Sequence, residues 1–202
     1  MTLDEKTAGL AHCRAVLLRV IDKLEIDDLD YLIFPDSKSI GEVILHVVGF
    51  EYLIVSSAKF SVGQAPNYDV WRKLKPGFAR EAGFEPPRRR TLDDYIGLLS
   101  DIREETLGFL SRDPNNCFIN AEKSAVKQLA SMLRTKYPED DETQYRRLEA
   151  GVGTSLRDDG VVNSENCVDI FRLLQLHETY HRGQITFQKY VKSRILRRQL
   201  SS

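Results

Sequence analysis

Two histidines, His177 and His181, stand four residues apart late in the sequence, separated by Glu-Thr-Tyr. On an α-helix, four residues advance about 400°, so the two imidazoles lie about 40° apart and about 6 Å along the axis. That separation suits two ligands of one small metal ion, because Zn²⁺ and similar ions accept imidazole nitrogens at about 2.0–2.1 Å. The spacing therefore predicts a pair of metal ligands on one helix.

A third histidine, His46, lies in a long apolar segment and shares a helical face with Phe50 and Leu53. A histidine inside such a segment needs a hydrogen-bonding or metallic partner for its ring nitrogens. One histidine from one helix and two from another would bind an ion on one side and leave coordination positions open, as catalytic sites do. We therefore predict a divalent metal, Zn²⁺ or Ni²⁺, held by His46, His177 and His181.

Two further polar residues, Gln184 and His12, bear on this site. Gln184 follows His181 by about one helical turn, where it either orients a ligand or water or only caps the polar end of the core. His12 lies off the apolar stripe of the first predicted helix. We therefore assign His12 to the surface and not to a fourth ligand position.

The segment from His177 to His181 also matches H-E-x-x-H, in which the glutamate of a zinc peptidase acts as general base. This alternative gives Glu178 a catalytic role in a zinc hydrolase. The sequence disfavours it, because no third ligand follows and no clear strand edge is available for a peptide substrate. Glu178 also lies about 100° around the helix from His177, so it faces solvent or another helix.

Four long helices are predicted to position these residues. Apolar residues recur three and four apart in the first and third, and Ser39 with Glu42 has the spacing of a capping box before the second. The second is apolar on nearly every side, which places it at the centre of the fold or at a subunit interface. The predicted spans are Asp4–Leu24, Ile40–Phe60, Thr91–Arg112 and Ser164–Ile195.

The connections between these helices are predicted to be long and irregular. Glycines and prolines interrupt residues 61–90, where Trp71 is expected to anchor the chain to the body. An irregular insertion is expected at about 113–160, with helical pieces near Ala121–Arg134 and Glu142–Glu149 and a hairpin, lid or loop at Val152–Val162. Three aromatic residues are candidates for a pocket wall, but aromatic residues at helical spacing usually belong to the core, so we leave them out of the site, namely Tyr52, Trp71 and Tyr180.

Composition excludes several classes of function. The 202 residues are 42% hydrophobic and 29% charged, with a formal net charge of -1. This balance indicates an ordinary folded domain and gives no sign of a nucleic-acid partner. No C-x-x-C pair, signal-like N-terminus or stretch of about 20 apolar residues is apparent, so we expect no disulfide framework, no membrane span and a cytoplasmic protein.

The segments that carry the three histidines resemble two motifs of the DinB/YfiT-like superfamily. The first is Ile-Gly-Glu-Val-Ile-Leu-His, which ends at His46, and the second is His-Glu-Thr-Tyr-His-Arg-Gly-Gln, from His177 to Gln184. The resemblance covers the order of helices over most of the chain. The chain departs from the family in its segment 113–160 and in lacking a tryptophan that many relatives carry just before the first motif.

The resemblance implies an all-α, single-domain four-helix bundle of the up-down-down-up type over residues 1–202, often assembled as a homodimer. It also implies that His46, His177 and His181 are the metal ligands. Family members with assigned activities are transferases and isomerases that use low-molecular-weight thiols such as bacillithiol or mycothiol, and others are unassigned metal-dependent hydrolases. We therefore expect a metal-dependent transferase or hydrolase in which the ion activates a thiol or water toward a small molecule.

A non-catalytic protein is the alternative from a different class. In that case the metal is structural or absent, and the bundle is a stress-response or binding module. The apolar second helix would then suit a dimer interface. The two classes differ in how strongly metal removal affects thermal stability.

Overall fold

The computed structural model describes residues 2–120, 125–158 and 167–199, which are mostly helical. Two short strands, Phe118–Asn120 and Cys167–Asp169, pair antiparallel, with Ile119 opposite Val168. Two 3₁₀ segments join neighbouring elements, at Lys75–Phe78 and Pro114–Cys117. In chain order the elements are α1 (Leu3–Ile21), α2 (Ile26–Leu29), α3 (Ile40–Ser61), α4 (Tyr68–Leu74), α5 (Ala79–Ala82), α6 (Leu92–Leu110), β1 (Phe118–Asn120), α7 (Ala125–Lys136), α8 (Glu142–Asp158), β2 (Cys167–Asp169) and α9 (Ile170–Gln199).

Capping boxes start the helices where the sequence predicts them. The Ser39 hydroxyl accepts from the Glu42 backbone N–H at 3.2 Å, and the Glu42 carboxylate accepts from the Ser39 N–H at 2.8 Å. Thr91 and Asp94 form the same reciprocal pair at the start of α6. Each box satisfies backbone donors that the first turn of a helix leaves unpaired, which fixes where the helix begins.

The helix α3 is the centre of the fold. It packs against the 3₁₀ segment Lys75–Phe78, against α6 and α7, and against α9. Neighbours on all sides explain why its sequence is apolar all round, and most of its residues are buried. The prediction of a central helix is confirmed, so the composition of α3 needs no second subunit to cover it.

The same helix corrects the prediction that no segment is long and apolar enough to span a membrane. The described helix α3 meets that criterion by length and composition, with a mean hydropathy of 1.5 over its most apolar window. However, 83% of that window is buried inside the protein. The rest of the fold covers this apolar surface.

A buried ion-pair network joins the four long helices α1, α3, α6 and α9. Arg14 binds Glu51 at 2.7 Å and Glu178 at 3.1 Å, and Arg103 binds the same two carboxylates at 2.8 Å and 2.5 Å. Their remaining guanidinium N–H groups donate to the backbone carbonyls of Leu99 and Leu10. None of the four charged side chains is more than 6% exposed.

The four charges of this network are balanced, which makes their burial tolerable. Burial alone would raise the pKa of Glu51, but Arg14 and Arg103 outweigh it and hold that pKa below its usual value. The carboxylate therefore stays ionised and paired at neutral pH. A buried network of this kind tolerates the loss of one member poorly, because the partner is left charged and unpaired.

The two connections are more regular than the sequence predicts. Residues 61–90 contain α4, a 3₁₀ segment and α5, and Trp71 is fully buried, as expected of an anchor. Gly83 ends α5, whereas Pro76 and Gly77 lie inside the 3₁₀ segment. The prediction of an irregular 61–90 is therefore confirmed only for the residues outside these elements, 62–67 and 83–90.

The prediction for 113–160 is confirmed in part: the two helical pieces are present as α7 and α8, but the stretch is more regular than the irregular insertion expected there. Most of it forms β1, α7 and α8, and α8 continues through 158, past the predicted end at Glu149. Of the predicted hairpin, lid or loop at Val152–Val162, residues 152–158 belong to α8 and the remainder lie outside the described residues. The last helix begins at Ile170 because residues 167–169 pair with β1.

Replacing Arg103 with methionine should lower the free energy of unfolding by about 3–5 kcal/mol, because it leaves two buried carboxylates facing one guanidinium. Urea unfolding at neutral pH measures this loss. The matched control is Arg146→Met, since Arg146 is exposed and pairs with Glu142 on the surface of α8. The control should change stability by less than about 0.5 kcal/mol. Equal effects of the two substitutions would contradict the buried network.

Candidate metal centre

The structure brings the three predicted ligands together. His46 comes from α3, and His177 and His181 come from successive turns of α9. The Nε2 atoms of His46 and His177 lie 3.3 Å apart, and one ring nitrogen of each histidine lies within 4.8 Å of the other two. Two ligands at about 2.0–2.1 Å from a tetrahedral ion are separated by about 3.3 Å.

Neighbouring side chains orient the two histidines of α9. The His177 ring stacks on Phe50, with ring centroids 3.9 Å apart and an interplanar angle of 15°. Gln184 Oε1 lies 2.9 Å from His181 Nδ1. This contact places the His181 proton on Nδ1 and leaves the Nε2 lone pair available to a metal. Gln184 therefore contacts one of the three predicted ligands.

A carboxylate lies behind His46. Glu81 Oε1 is 3.6 Å from His46 Nδ1, and Lys38 Nζ pairs with the same oxygen. Glu81 lies on the short helix α5, in a stretch that the sequence marks only by its glycines and prolines. No spacing in the sequence identifies Glu81, because its place beside His46 depends on the fold of that connection.

Burial lowers the pKa of all three imidazoles, because the protein interior solvates a cation poorly. The pKa of His181 is lowered to about 4, and those of His46 and His177 lie well below the usual 6.5. The charge of Lys38 adds to the shift at each of them. All three rings are therefore neutral at pH 7, which is the protonation state that binds a metal.

The residues present fit a divalent metal ion. Three neutral imidazoles converge from two helices, and imidazole is a common ligand of Zn²⁺, Ni²⁺ and related ions. The 3.3 Å separation of His46 and His177 already matches two positions of a tetrahedral site. This group could hold a metal ion, as the sequence predicts.

A cavity of about 450 Å³ opens beside the three histidines. Its walls come from α3, the 3₁₀ segment Lys75–Phe78, α5, α8 and α9. The helix α8 forms one side of the cavity, although the sequence indicates no role for its stretch, 113–160. Besides the histidines, the wall residues include Phe50, Phe78, Glu81, Arg147, Leu148, Val152, Leu176 and Tyr180.

Three other sequence assignments have different outcomes. His12 is exposed, as predicted for a residue that is not a ligand. Glu178 is 2% exposed and belongs to the ion-pair network, so its carboxylate is bound by Arg14 and Arg103 and does not line the cavity. The catalytic role that H-E-x-x-H would give Glu178 is therefore wrong. Tyr180 is 72% exposed and lines the cavity, so leaving it out of the site is wrong.

Comparison of the chain with models of protein families, with curated proteins and with solved structures gives no match. The similarity to the DinB/YfiT-like superfamily therefore depends on the two histidine motifs and the order of the helices.

The lowered pKa values predict that metal binding releases few protons, even in mildly acidic buffer. At pH 6.0, three histidines with the ordinary pKa of 6.5 would together release about two protons on binding a metal. We expect fewer than about one, because the buried rings are already neutral at that pH. Calorimetric titration with Zn²⁺ in two buffers of different ionisation enthalpy measures the number. A value near two would contradict the burial of these rings.

Gly77 allows the 3₁₀ segment to approach α3 beside His46. A Cβ atom on Gly77 would lie 2.4 Å from the backbone nitrogen of His46 and 2.4 Å from the carbonyl carbon of Leu45. Backbone atoms cannot move aside as a flexible side chain does, so a larger residue must displace the segment. The close approach also holds Phe78 against the His46 ring, with ring centroids 5.0 Å apart.

The substitution Gly77→Ala should destabilise the protein by about 1–3 kcal/mol, as overpacking does elsewhere, and should weaken Zn²⁺ binding by displacing the wall behind His46. Urea unfolding and competition with a chelator measure the two effects. The control is Gly97→Ala on α6, where a Cβ meets open space. That change should be neutral or stabilising by up to about 1 kcal/mol. Similar behaviour of both variants would show that the approach at Gly77 is not tight.

Proposed function

We propose that this protein is a divalent-metal-dependent enzyme that acts on a small molecule bound in the cavity beside the three histidines. The observation that carries the proposal is the convergence of three neutral imidazoles at the edge of a cavity of about 450 Å³. Three protein ligands leave coordination positions open, and sites with an open position are typically catalytic. A cavity of this size falls within the range of about 300–1,000 Å³ for small-molecule sites.

The histidines and the two side chains that contact them have the following roles in this proposal. His46, His177 and His181 would hold the ion, and Gln184 and Phe50 keep the two rings of α9 in place. An ion held there, Zn²⁺ or Ni²⁺, would supply positive charge that lowers the pKa of a bound water or thiol, for hydrolysis or group transfer.

Membership of the DinB/YfiT-like superfamily is part of the proposal. It is supported by the motifs ending at His46 and spanning His177 to Gln184, and by four long helices joined through one buried network. A bundle of the up-down-down-up type, a low-molecular-weight thiol as cosubstrate, a homodimer and a cytoplasmic location follow from that membership. The apolar surface of α3 gives no support to the homodimer, since this chain buries it.

Elemental analysis of the untagged protein tests the metal centre. We expect about one equivalent of Zn²⁺ or Ni²⁺ per chain after reconstitution, because the three histidines form one site. The variants His46→Ala, His177→Ala and His181→Ala should each lose it. His12→Ala is the matched control and should keep it, since His12 is exposed and lies on α1. Metal that is absent from the wild type, or retained in all three variants, would contradict the proposal.

Thermal unfolding with and without a chelator separates the catalytic from the non-catalytic class. A structural metal contributes much of the folding energy, so its removal lowers the melting temperature strongly. We expect a modest shift here, because the described core and the ion-pair network hold α3 and α9 together without an ion. A loss of folded structure on chelation would favour the non-catalytic module.

A further inference from the structure

We infer that the cavity binds small molecules with an apolar body and a carboxylate or similar anionic group, and that Arg147 holds the anionic group. The presence of an ion beside the bound molecule rests on the proposed function. The apolar body and the contact with Arg147 follow from the cavity walls, without an ion.

The walls of the cavity favour an apolar body. Phe50 and Phe78 form the side nearest α3, and Leu148 and Val152 face them from α8. Leu176, on α9, is 44% exposed, although it is a large apolar residue. Apolar surface left open to water in a concave site gains from being covered by an apolar ligand, at roughly 25 cal/mol per Å².

The charges at the site favour an anionic ligand. Three neutral imidazoles bring no negative charge, so an ion held by them would keep its full charge of 2+. Among the described wall residues the one carboxylate is Glu81, and Lys38 already pairs with it. Arg147 adds a positive charge to the wall, and Asp141, a carboxylate that interacts with it, is not a wall residue. A cationic ligand would meet repulsion from Arg147 and from a bound ion, whereas an anion would be attracted to both.

Arg147 is placed to hold that anion. It lies on α8 beside Leu148, and its Nη1 is 3.5 Å from the position that a Cβ on Gly83 would occupy, so the side chain reaches from α8 to the end of α5. Its guanidinium is planar and presents parallel N–H donors that match the two oxygens of a carboxylate. Arginine at a largely apolar wall thus gives orientation as well as charge.

Calorimetric binding of three matched probes tests the inference, namely 4-phenylbutanoate, 4-phenylbutanamide and 4-phenylbutylamine. In the zinc-loaded wild type we expect the carboxylate to bind most tightly and the amine most weakly. Arg147→Met should weaken the binding of 4-phenylbutanoate by about tenfold, the size of one charge-assisted contact. It should change the affinity for 4-phenylbutanamide by less than about twofold. Arg147→Lys keeps the charge and should lose less than Arg147→Met.

Arg146→Met is the control for this series. Arg146 is the neighbouring arginine of α8, is 77% exposed and pairs with Glu142 outside the cavity. It should leave the binding of all three probes unchanged. Both arginines are exposed, so neither substitution disturbs the core.

The same titrations on zinc-free protein separate this inference from the proposed metal centre. Carboxylate binding that persists without zinc and depends on Arg147 supports the inference, even if the wild type proves to hold no metal. Binding that requires zinc and is unchanged in Arg147→Met places the carboxylate on the ion and overturns it. Equal affinity for the three probes, or no binding of any of them at millimolar concentration, also overturns it.

Discussion

The interaction on which the fold depends is the buried network of two arginines and two glutamates. Each of the four long helices contributes one charge, and each guanidinium bridges both carboxylates. A pair can be satisfied in only a few rotations of the helices that carry it, because its hydrogen bonds require particular directions. The network therefore specifies how α1, α3, α6 and α9 are turned about their own axes, which apolar packing alone leaves less defined.

This rotation matters because the helices α3 and α9 each carry both a member of the network and a predicted metal ligand. Glu178 points into the network on one face of α9. His177 and His181 therefore lie on the adjacent face of the same helix, which lines the cavity. Glu51 fixes α3 in the same way, with His46 more than one turn earlier. The H-E-x-x-H segment therefore has two roles. Its histidines belong to the candidate metal centre, and its glutamate belongs to the buried ion-pair network.

The arrangement of the three histidines also explains why an ion suits this place. The Nε2 atoms of His46 and His177 are 3.3 Å apart, so one can donate a hydrogen to the other only if the two rings adopt different tautomers. Burial keeps the rings neutral, and the apolar wall residues around them offer few other partners. A single ion would satisfy one lone pair on each ring at once.

The long helices and the cluster of three histidines could be predicted from the sequence, because both follow from local periodicity. Ser39 and Thr91 mark helix starts by chemistry within one turn, and the four-residue spacing of His177 and His181 fixes their shared face. The positions of Glu81 and α8 could not be predicted, because they depend on how the connections fold back over the body. Arg14 carries a signal in the sequence, because it is a charged residue on the apolar stripe of α1.

The wall supplied by α8 separates two parts of the site along the sequence. The three histidines lie on α3 and α9, whereas Leu148, Val152 and Arg147 come from α8, a separate stretch of the chain. Substitutions on α8 can therefore change the shape and charge of the cavity while the histidine cluster stays the same. Under selection, the preference of the cavity for one molecule over another can evolve on α8 independently of the residues that could hold an ion.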